Sequence, residues 1–290
     1  MKDRTNQTIE LIYGRKLGYA EYGLPSGNPI FHFHGSSSSR LERPPDEDML
    51  KTQSIKLITV DRPGHGLSDF QHNRQLLDWP DDVTVLANHL GIDKFAVTGW
   101  SFGGPYALAC AYKIPEHITA VGLISSFAPH DRPNSTNGMS RFNKIGLSIA
   151  RWLPFWLGRQ FMKMQGRALQ NNPEGVAKQM LSSVPKADQE ILNNTEIKAI
   201  LLPSLSEAYR TGADGPAWEG KILVRPWGFR LQDITIPVHI WHGEADVNDP
   251  LQCAEYLRDT IPNTHAKFYP SEGHFLIMKH WGEILIELLR

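Results

Sequence analysis

Val97-Thr98-Gly99-Trp100-Ser101-Phe102-Gly103-Gly104 decides how the rest of this chain is read. An apolar run enters the stretch, a helix-forming run leaves it, and a serine stands between small residues in G-x-S-x-G spacing. That spacing marks a sharp strand-to-helix turn that lifts a serine clear of a sheet edge. Glycine at 99 and 103 keeps Cβ atoms out of a crowded turn, and the serine between them is expected in a strained backbone conformation. The helix starting behind it aims free N–H groups at the same place. A serine so presented suits acyl transfer, of which hydrolysis is the simplest case.

Working outward, the chain alternates strand-like and helix-like signals. Strands are predicted over 9–13 and 16–22, joined by a turn at Gly14, and again over 30–34. A helix over 41–52 follows, its start confined by Pro44 and Pro45. A strand over 56–60, a helix over 79–90, the strand 95–98 feeding the serine, a helix over 105–112 and a strand over 118–125 complete the first part. Such βα alternation predicts an open, mostly parallel α/β sheet with functional loops at strand C-termini. From 129 to 233 strand signals fade. Helix-like segments there are broken by Pro133, Pro154, Pro173, Pro185, Pro203 and Pro216. Alternation returns with a strand over 236–241, a helix over 251–259, a strand over 266–269 and a closing helix over 274–289. The expected organisation is a core in two parts, 1–128 and 234–290, with a mainly helical cap, 129–233, inserted between them. The cap is rich in Phe142, Leu147, Trp152, Leu153, Phe155, Trp156, Phe161, Met162 and Met164. Most of these should pack the cap or seat it on the core, and a few should line an apolar pocket; periodicity does not separate the two groups.

The 290 residues suffice to bury about 75% of the unfolded surface. Thirty basic and thirty-one acidic side chains give a net charge of -1. That balance gives no argument for binding nucleic acid or an anionic membrane, although it leaves room for a local patch. Cys110 and Cys253 read as reduced, helix-packing residues rather than a disulfide framework. The first ten residues are polar and lack the apolar core of a signal peptide, and no apolar run approaches the length of a membrane span. A cytoplasmic protein acting on a small molecule is expected, with homo-oligomerisation left open. No cofactor or metal is expected: C-x-x-C, H-E-x-x-H and P-loop patterns are absent, and His32 and His34 alternate on a strand without a third ligand nearby.

A serine hydroxyl needs a base within hydrogen-bond reach, and the base needs an orienting acid. In this architecture the chain order is nucleophile, acid, histidine. Of the twelve histidines, His274 stands on a glycine-preceded loop after the last strand and is the expected base. His265 begins a strand and His280 lies inside the closing helix. After the strand 236–241, His242-Gly243-Glu244-Ala245-Asp246-Val247-Asn248-Asp249-Pro250 offers three acids. Asp246 has the expected spacing, Glu244 completes the turn, and Asp249 before Pro250 reads as the cap of the next helix. For an oxyanion, the Phe102 backbone N–H is the first donor, at the helix N-terminus. Ser36, after the strand ending at His34-Gly35, supplies the second, with Ser37 as the substitute. His34 is expected to fix that loop through its ring nitrogens. Asp61 and Arg62, in Asp61-Arg62-Pro63-Gly64-His65-Gly66-Leu67-Ser68-Asp69, read as structural, either as a local ion pair or in contact with substrate, and His65 shares that reading.

Taken together, His34-Gly35, the Asp61–Ser68 turn, Gly99-Trp100-Ser101-Phe102-Gly103-Gly104, His242-Gly243-Glu244-Ala245-Asp246 and Gly273-His274 resemble the α/β-hydrolase superfamily over nearly the full length. The resemblance implies an eight-stranded, mostly parallel sheet with a helical cap after the sixth strand. It also implies a Ser101–Asp246–His274 triad, with the Phe102 and Ser36 N–H groups as the oxyanion hole. Epoxide hydrolases and haloalkane dehalogenases carry aspartate where Ser101 stands, which disfavours their chemistry. Proline iminopeptidases have H-G-G-P-G where this chain has His34-Gly35-Ser36-Ser37-Ser38, which makes peptidase activity a minor option. Trp218-Glu219-Gly220 and Arg225-Pro226-Trp227-Gly228-Phe229 close the cap and have no assigned substrate. The resulting expectation is a carboxylesterase-like serine hydrolase acting on a small, largely apolar ester through an acyl-enzyme. Lactones, amides or carbon–carbon bonds are alternative substrates, and a non-hydrolytic small-molecule sensor on the same fold is the alternative class.

Overall fold

The computed structural model describes residues 4–131 and 135–290. Its strands are β1 (Gln7–Glu10), β2 (Lys16–Gly23), β3 (Asn28–Phe33), β4 (Ile55–Val60), β5 (Phe95–Trp100), β6 (Ile118–Ile124), β7 (Val238–Gly243) and β8 (Thr264–Tyr269). They form one sheet in the order β1-β2-β4-β3-β5-β6-β7-β8. Strand β2 runs antiparallel to both its neighbours, and every other pairing is parallel. The chain steps from β3 out to β4 and returns to β5 on the other side of β3. The loops after β3 and β5 therefore diverge at a topological switch point, where open α/β sheets form a crevice.

Helices α1 (Asp48–Thr52), α2 (Trp79–His89) and α3 (Gly103–Lys113) connect the strands of the first part. Between β6 and β7 come α4 (Arg141–Trp152), α5 (Phe155–Asn171), α6 (Pro173–Ser183), α7 (Lys186–Asn193), α8 (Thr195–Glu207) and α9 (Asp214–Leu223). Helices α10 (Leu251–Thr260) and α11 (Ile277–Glu287) follow β7 and β8. All six residues of β5 are buried, as an interior parallel strand covered on both faces requires. Alternation splits its neighbour β3 between two core layers. Phe31 and Phe33 join Val83, Leu86 and Tyr106 on one side of the sheet, while Ile30 joins Leu50, Trp281 and Leu285 on the other.

Several elements differ from the sequence expectation for identifiable reasons. The helix expected over 41–52 forms only as α1, because Glu42 is turned inward to His32 Nε2 at 2.6 Å and to the Gly35 N–H. The first strand stops at Glu10, and a 3-10 turn over Ile12–Gly14 follows, with Tyr13 at φ 67°. The closing helix begins at Ile277 rather than 274, and ahead of it the His274 and Phe275 N–H groups are donated to Asp188. In the 129–233 stretch, Pro154, Pro173 and Pro185 stand at helix starts, where a missing N–H costs nothing. Pro203 does not break its helix. Ile197, Ile200, Leu201 and Ser204 bury one face of α8 on both sides of it. Pro133 lies outside the described residues.

Candidate active site

Ser101 follows β5 directly, with φ at 53°, and is 6% exposed. The surrounding turn is closed to side chains. A Cβ on Gly99 would stand 2.3 Å from the Gly103 carbonyl carbon, and one on Gly103 would stand 1.9 Å from the Phe33 oxygen. Two glycines are thus needed for β5, α3 and the end of β3 to meet. The elbow is pinned to the next strand by Ser101 N–H donating to the Ile124 carbonyl at 2.9 Å.

Asp246 and His274 come from the loops after β7 and β8. His274 Nδ1–H donates to Asp246 Oδ2 at 2.8 Å, and both side chains are buried. The other Asp246 oxygen accepts the N–H groups of Asn248 and Asp249 at 2.8 and 3.0 Å. Burial opposes ionisation of Asp246, but the His274 imidazolium and its hydrogen bond outweigh that and hold the carboxyl below its ordinary range. Burial likewise opposes the imidazolium. Asp246, with Asp249 and Asp188 behind it, overcomes this and raises His274 to about 9.

Asp249 is not a helix cap. Pro250 takes the N-cap position of α10, and the Asp249 carboxylate turns into the site. Ser101 Oγ–H donates to Asp249 Oδ2 at 3.3 Å, and the same oxygen lies 4.0 Å from His274 Nδ1. Among the described residues, Ser101 makes no hydrogen bond to His274. Desolvation pushes Asp249 well above the ordinary carboxylate range, with the Asp246 charge adding to it and His274 opposing.

The loop after β3 is held from three directions. His34 Nδ1–H donates to the Gly35 carbonyl at 2.8 Å, and its Nε2 faces the Arg62 N–H at 3.4 Å. Burial and the nearby Arg62 charge hold the pKa of this ring well below its usual value, which favours the neutral form with one nitrogen donating and the other accepting. Arg62 donates to the carbonyls of His34 and Gly35 and forms a buried pair with Glu219 of α9, Nε to Oε1 at 2.5 Å. Asp61 pairs with Arg40, not with Arg62; Arg40 also reaches Glu207 of α8. Ser204 of α8 hydrogen-bonds Ser38 and Ser39, and the Tyr209 hydroxyl donates to Ser37 at 3.0 Å. Ser36 and Phe102 line the cavity beside Ser101, and neither N–H appears among the loop and turn hydrogen bonds of the described residues.

Above Ser101 lies a cavity of ≈ 280 Å³. Its floor is Trp100, Ser101, Phe102 and His274, and its walls come largely from α4, α5 and α9, with Leu201 and Leu205 of α8. Of the large apolar residues singled out between β6 and β7, Phe142, Leu147, Phe161 and Met162 line it. Trp152, Leu153, Trp156 and Met164 are exposed instead of packed. Sequence reasoning missed Asp188. This buried carboxylate on α7 accepts the backbone N–H groups of His274 and Phe275, each at 2.9 Å. Its neighbour Gly273 has no room for a Cβ, which would stand 2.2 Å from the carboxylate. Asp188 is in the first turn of its helix, where an acid normally needs no further explanation.

A sharp elbow with a serine at positive φ, an adjoining buried acid–histidine pair and a helical layer over the crevice define a class. The chain belongs to the alpha/beta hydrolase fold family, whose model matches residues 46–280. Among individual relatives, it is 30% identical over 268 residues to a pimeloyl-[acyl-carrier protein] methyl ester esterase of Legionella pneumophila (strain Corby), covering 90% of this chain and 92% of that one. The fold is shared with an esterase of Thermogutta terrifontis (TM-score 0.68, 21% identity, 99% and 98% of the two chains). It is shared too with the enol-lactonase of Burkholderia xenovorans LB400 (TM-score 0.71, 16% identity, 98% and 99%).

Proposed function

We propose that the protein is a serine hydrolase that cleaves a small, largely apolar carboxylic ester through an acyl-enzyme on Ser101. The observation that carries this reading is the buried 2.8 Å contact between His274 Nδ1 and Asp246, beside a serine held at positive φ under an apolar cavity. The Asp246 bond fixes the tautomer that leaves His274 Nε2 free to accept a proton. In the reaction the Ser101 hydroxyl turns from Asp249 to His274 Nε2, gives up its proton and attacks the ester carbon. The carbonyl electron pair moves to oxygen, where the Phe102 and Ser36 N–H groups receive it. His274 returns the proton to the departing alcohol. Water then gives a proton to the same nitrogen and attacks the acyl carbon, the bond to Ser101 Oγ breaks, and His274 returns the proton to that oxygen as the acid leaves.

The name of the Legionella relative, an esterase of an acyl-carrier-protein methyl ester, supports ester cleavage. Cys110 and Cys253 are both buried, as helix-packing cysteines of a cytoplasmic protein would be. One observation favours a second reading, retention of a ligand without turnover: Ser101 donates to Asp249 rather than to His274. Initial rates on para-nitrophenyl esters of graded acyl length separate the two. The hydrolase reading predicts saturable turnover that falls at least about 10³-fold in Ser101→Ala. Tight binding of these esters with no product released would favour the sensor.

A further inference from the structure

Residues 135–173 contain Arg141, Lys144, Arg151, Arg159, Lys163 and Arg167 and not one aspartate or glutamate, in a chain of net charge -1. Of these cations only Arg159 has an ion-pair partner among the described residues, Asp214. The same stretch carries the chain's most exposed tryptophans, Trp152 at 74% and Trp156 at 61%, at the Leu153-Pro154 corner between α4 and α5. On α4, Phe142, Ile145, Ile149 and Trp152 recur at helical spacing and form one apolar face. Arg141, Lys144 and Arg151 each precede one of these residues and flank that face with charge. Helix α4 buries no residue completely, so its amphipathic face is only partly covered by the described residues. Phe142 is 55% exposed and also part of the cavity wall, so the apolar face runs from the surface into the cavity over Ser101.

We propose that the α4–α5 corner docks on an anionic lipid surface and seats the cavity mouth against it. Charge complementarity selects this occupant. A second copy presenting the same acid-free face would oppose cation to cation. Tryptophans beside arginine and lysine on an amphipathic helix match the interfacial zone of a bilayer, where rings lie at headgroup level and cations meet lipid phosphates. No helix among the described residues is long and apolar enough to cross a membrane, so attachment is peripheral. The inference does not depend on the hydrolase reading, because it concerns binding and not turnover.

The test is co-sedimentation of the whole chain with phosphatidylcholine vesicles, with and without phosphatidylglycerol, at low and high salt. Binding is expected to the phosphatidylglycerol vesicles, weakened by salt and weak on phosphatidylcholine alone. The double variant Trp152→Ser/Trp156→Ser should lose at least about tenfold in partitioning, and Lys144→Ala or Lys163→Ala about fivefold each. Turnover of a soluble para-nitrophenyl ester should be unchanged in the double variant, since neither tryptophan lines the cavity. A folded wild type that ignores both vesicle types, or a double variant that binds as the wild type does, would overturn the proposal. So would a wild-type dimer that the double variant dissociates, or binding to a small acidic protein with none to vesicles.

Discussion

Ser101 has two neighbours competing for its proton, and their charges set when the site is ready. His274 is raised to about 9 by the carboxylates around it, so at neutral pH its imidazolium is favoured and its service as a base is restricted. The rate should therefore climb with pH through the neutral range toward that value. Asp249 contributes to the raising, and its negative charge stabilises only the protonated ring. Asp249→Asn should move the acid limb of kcat/KM to lower pH while leaving substantial turnover. Asp246→Asn removes the group that fixes the tautomer, and should lower kcat by about 10⁴. If Asp249→Asn proved the more damaging of the two, the orienting acid would be Asp249. Sequence reading singled out Ser101, Asp246 and His274 because each follows a strand in a turn with a recognisable pattern, and the fold brings the three loops to one cavity. It misjudged Asp249, because an acid before Pro250 has the local signature of a helix cap. Only the folded loop shows that proline holds that position and that the carboxylate points inward.

Helices outside the core sheet hold the loops that carry the site. Asp188 on α7 grips the His274 loop by two backbone N–H groups, 86 and 87 residues away in sequence. Asp188→Ala should leave those donors unsatisfied, destabilise the protein by about 3 kcal/mol in denaturant unfolding, and depress kcat more than KM. A change in KM alone would mean that Asp188 shapes the pocket rather than the base. Glu219 on α9 neutralises Arg62, which in turn holds the carbonyls of the loop carrying Ser36. Glu219→Ala strands a buried guanidinium and should cost about 3–5 kcal/mol, measured by the same unfolding experiment. These ties were illegible in sequence for a physical reason. A buried ion pair has no period, and its partners stand far apart in the chain, so Trp218-Glu219-Gly220 looked distinctive without a purpose. Strand β5 was legible because a parallel strand covered on both faces must be mainly apolar, as Phe95, Ala96, Val97 and Trp100 are. The 41–52 helix was overestimated because the pull of Glu42 toward His32 is tertiary.

Across the whole molecule, two pairs of the helices between β6 and β7 differ sharply in how deeply they are buried. Helices α8 and α9 bury several residues and tie Ser38, Ser39, Arg40 and Arg62. Helix α4 buries none, and α5 only Gly166 and Leu169. Native-state hydrogen exchange should reflect this, with amides of α4 exchanging at least about tenfold faster than those of α8 and α9. Uniform protection would contradict such a division. It also bears on chemistry, since the anchored helices fix the floor loops while α4 and α5 form much of the cavity wall. The near-neutral charge of the chain conceals this arrangement, because acids elsewhere cancel the cations of α4 and α5.

Whether Ser101 is an activated nucleophile is decided by reaction with a small fluorophosphonate followed by intact-mass and peptide mapping. One covalent adduct is expected on Ser101, formed faster as pH rises, absent in Ser101→Ala and strongly slowed in Asp246→Asn. A folded protein that stays unlabelled, or that carries the adduct on another residue, would contradict it.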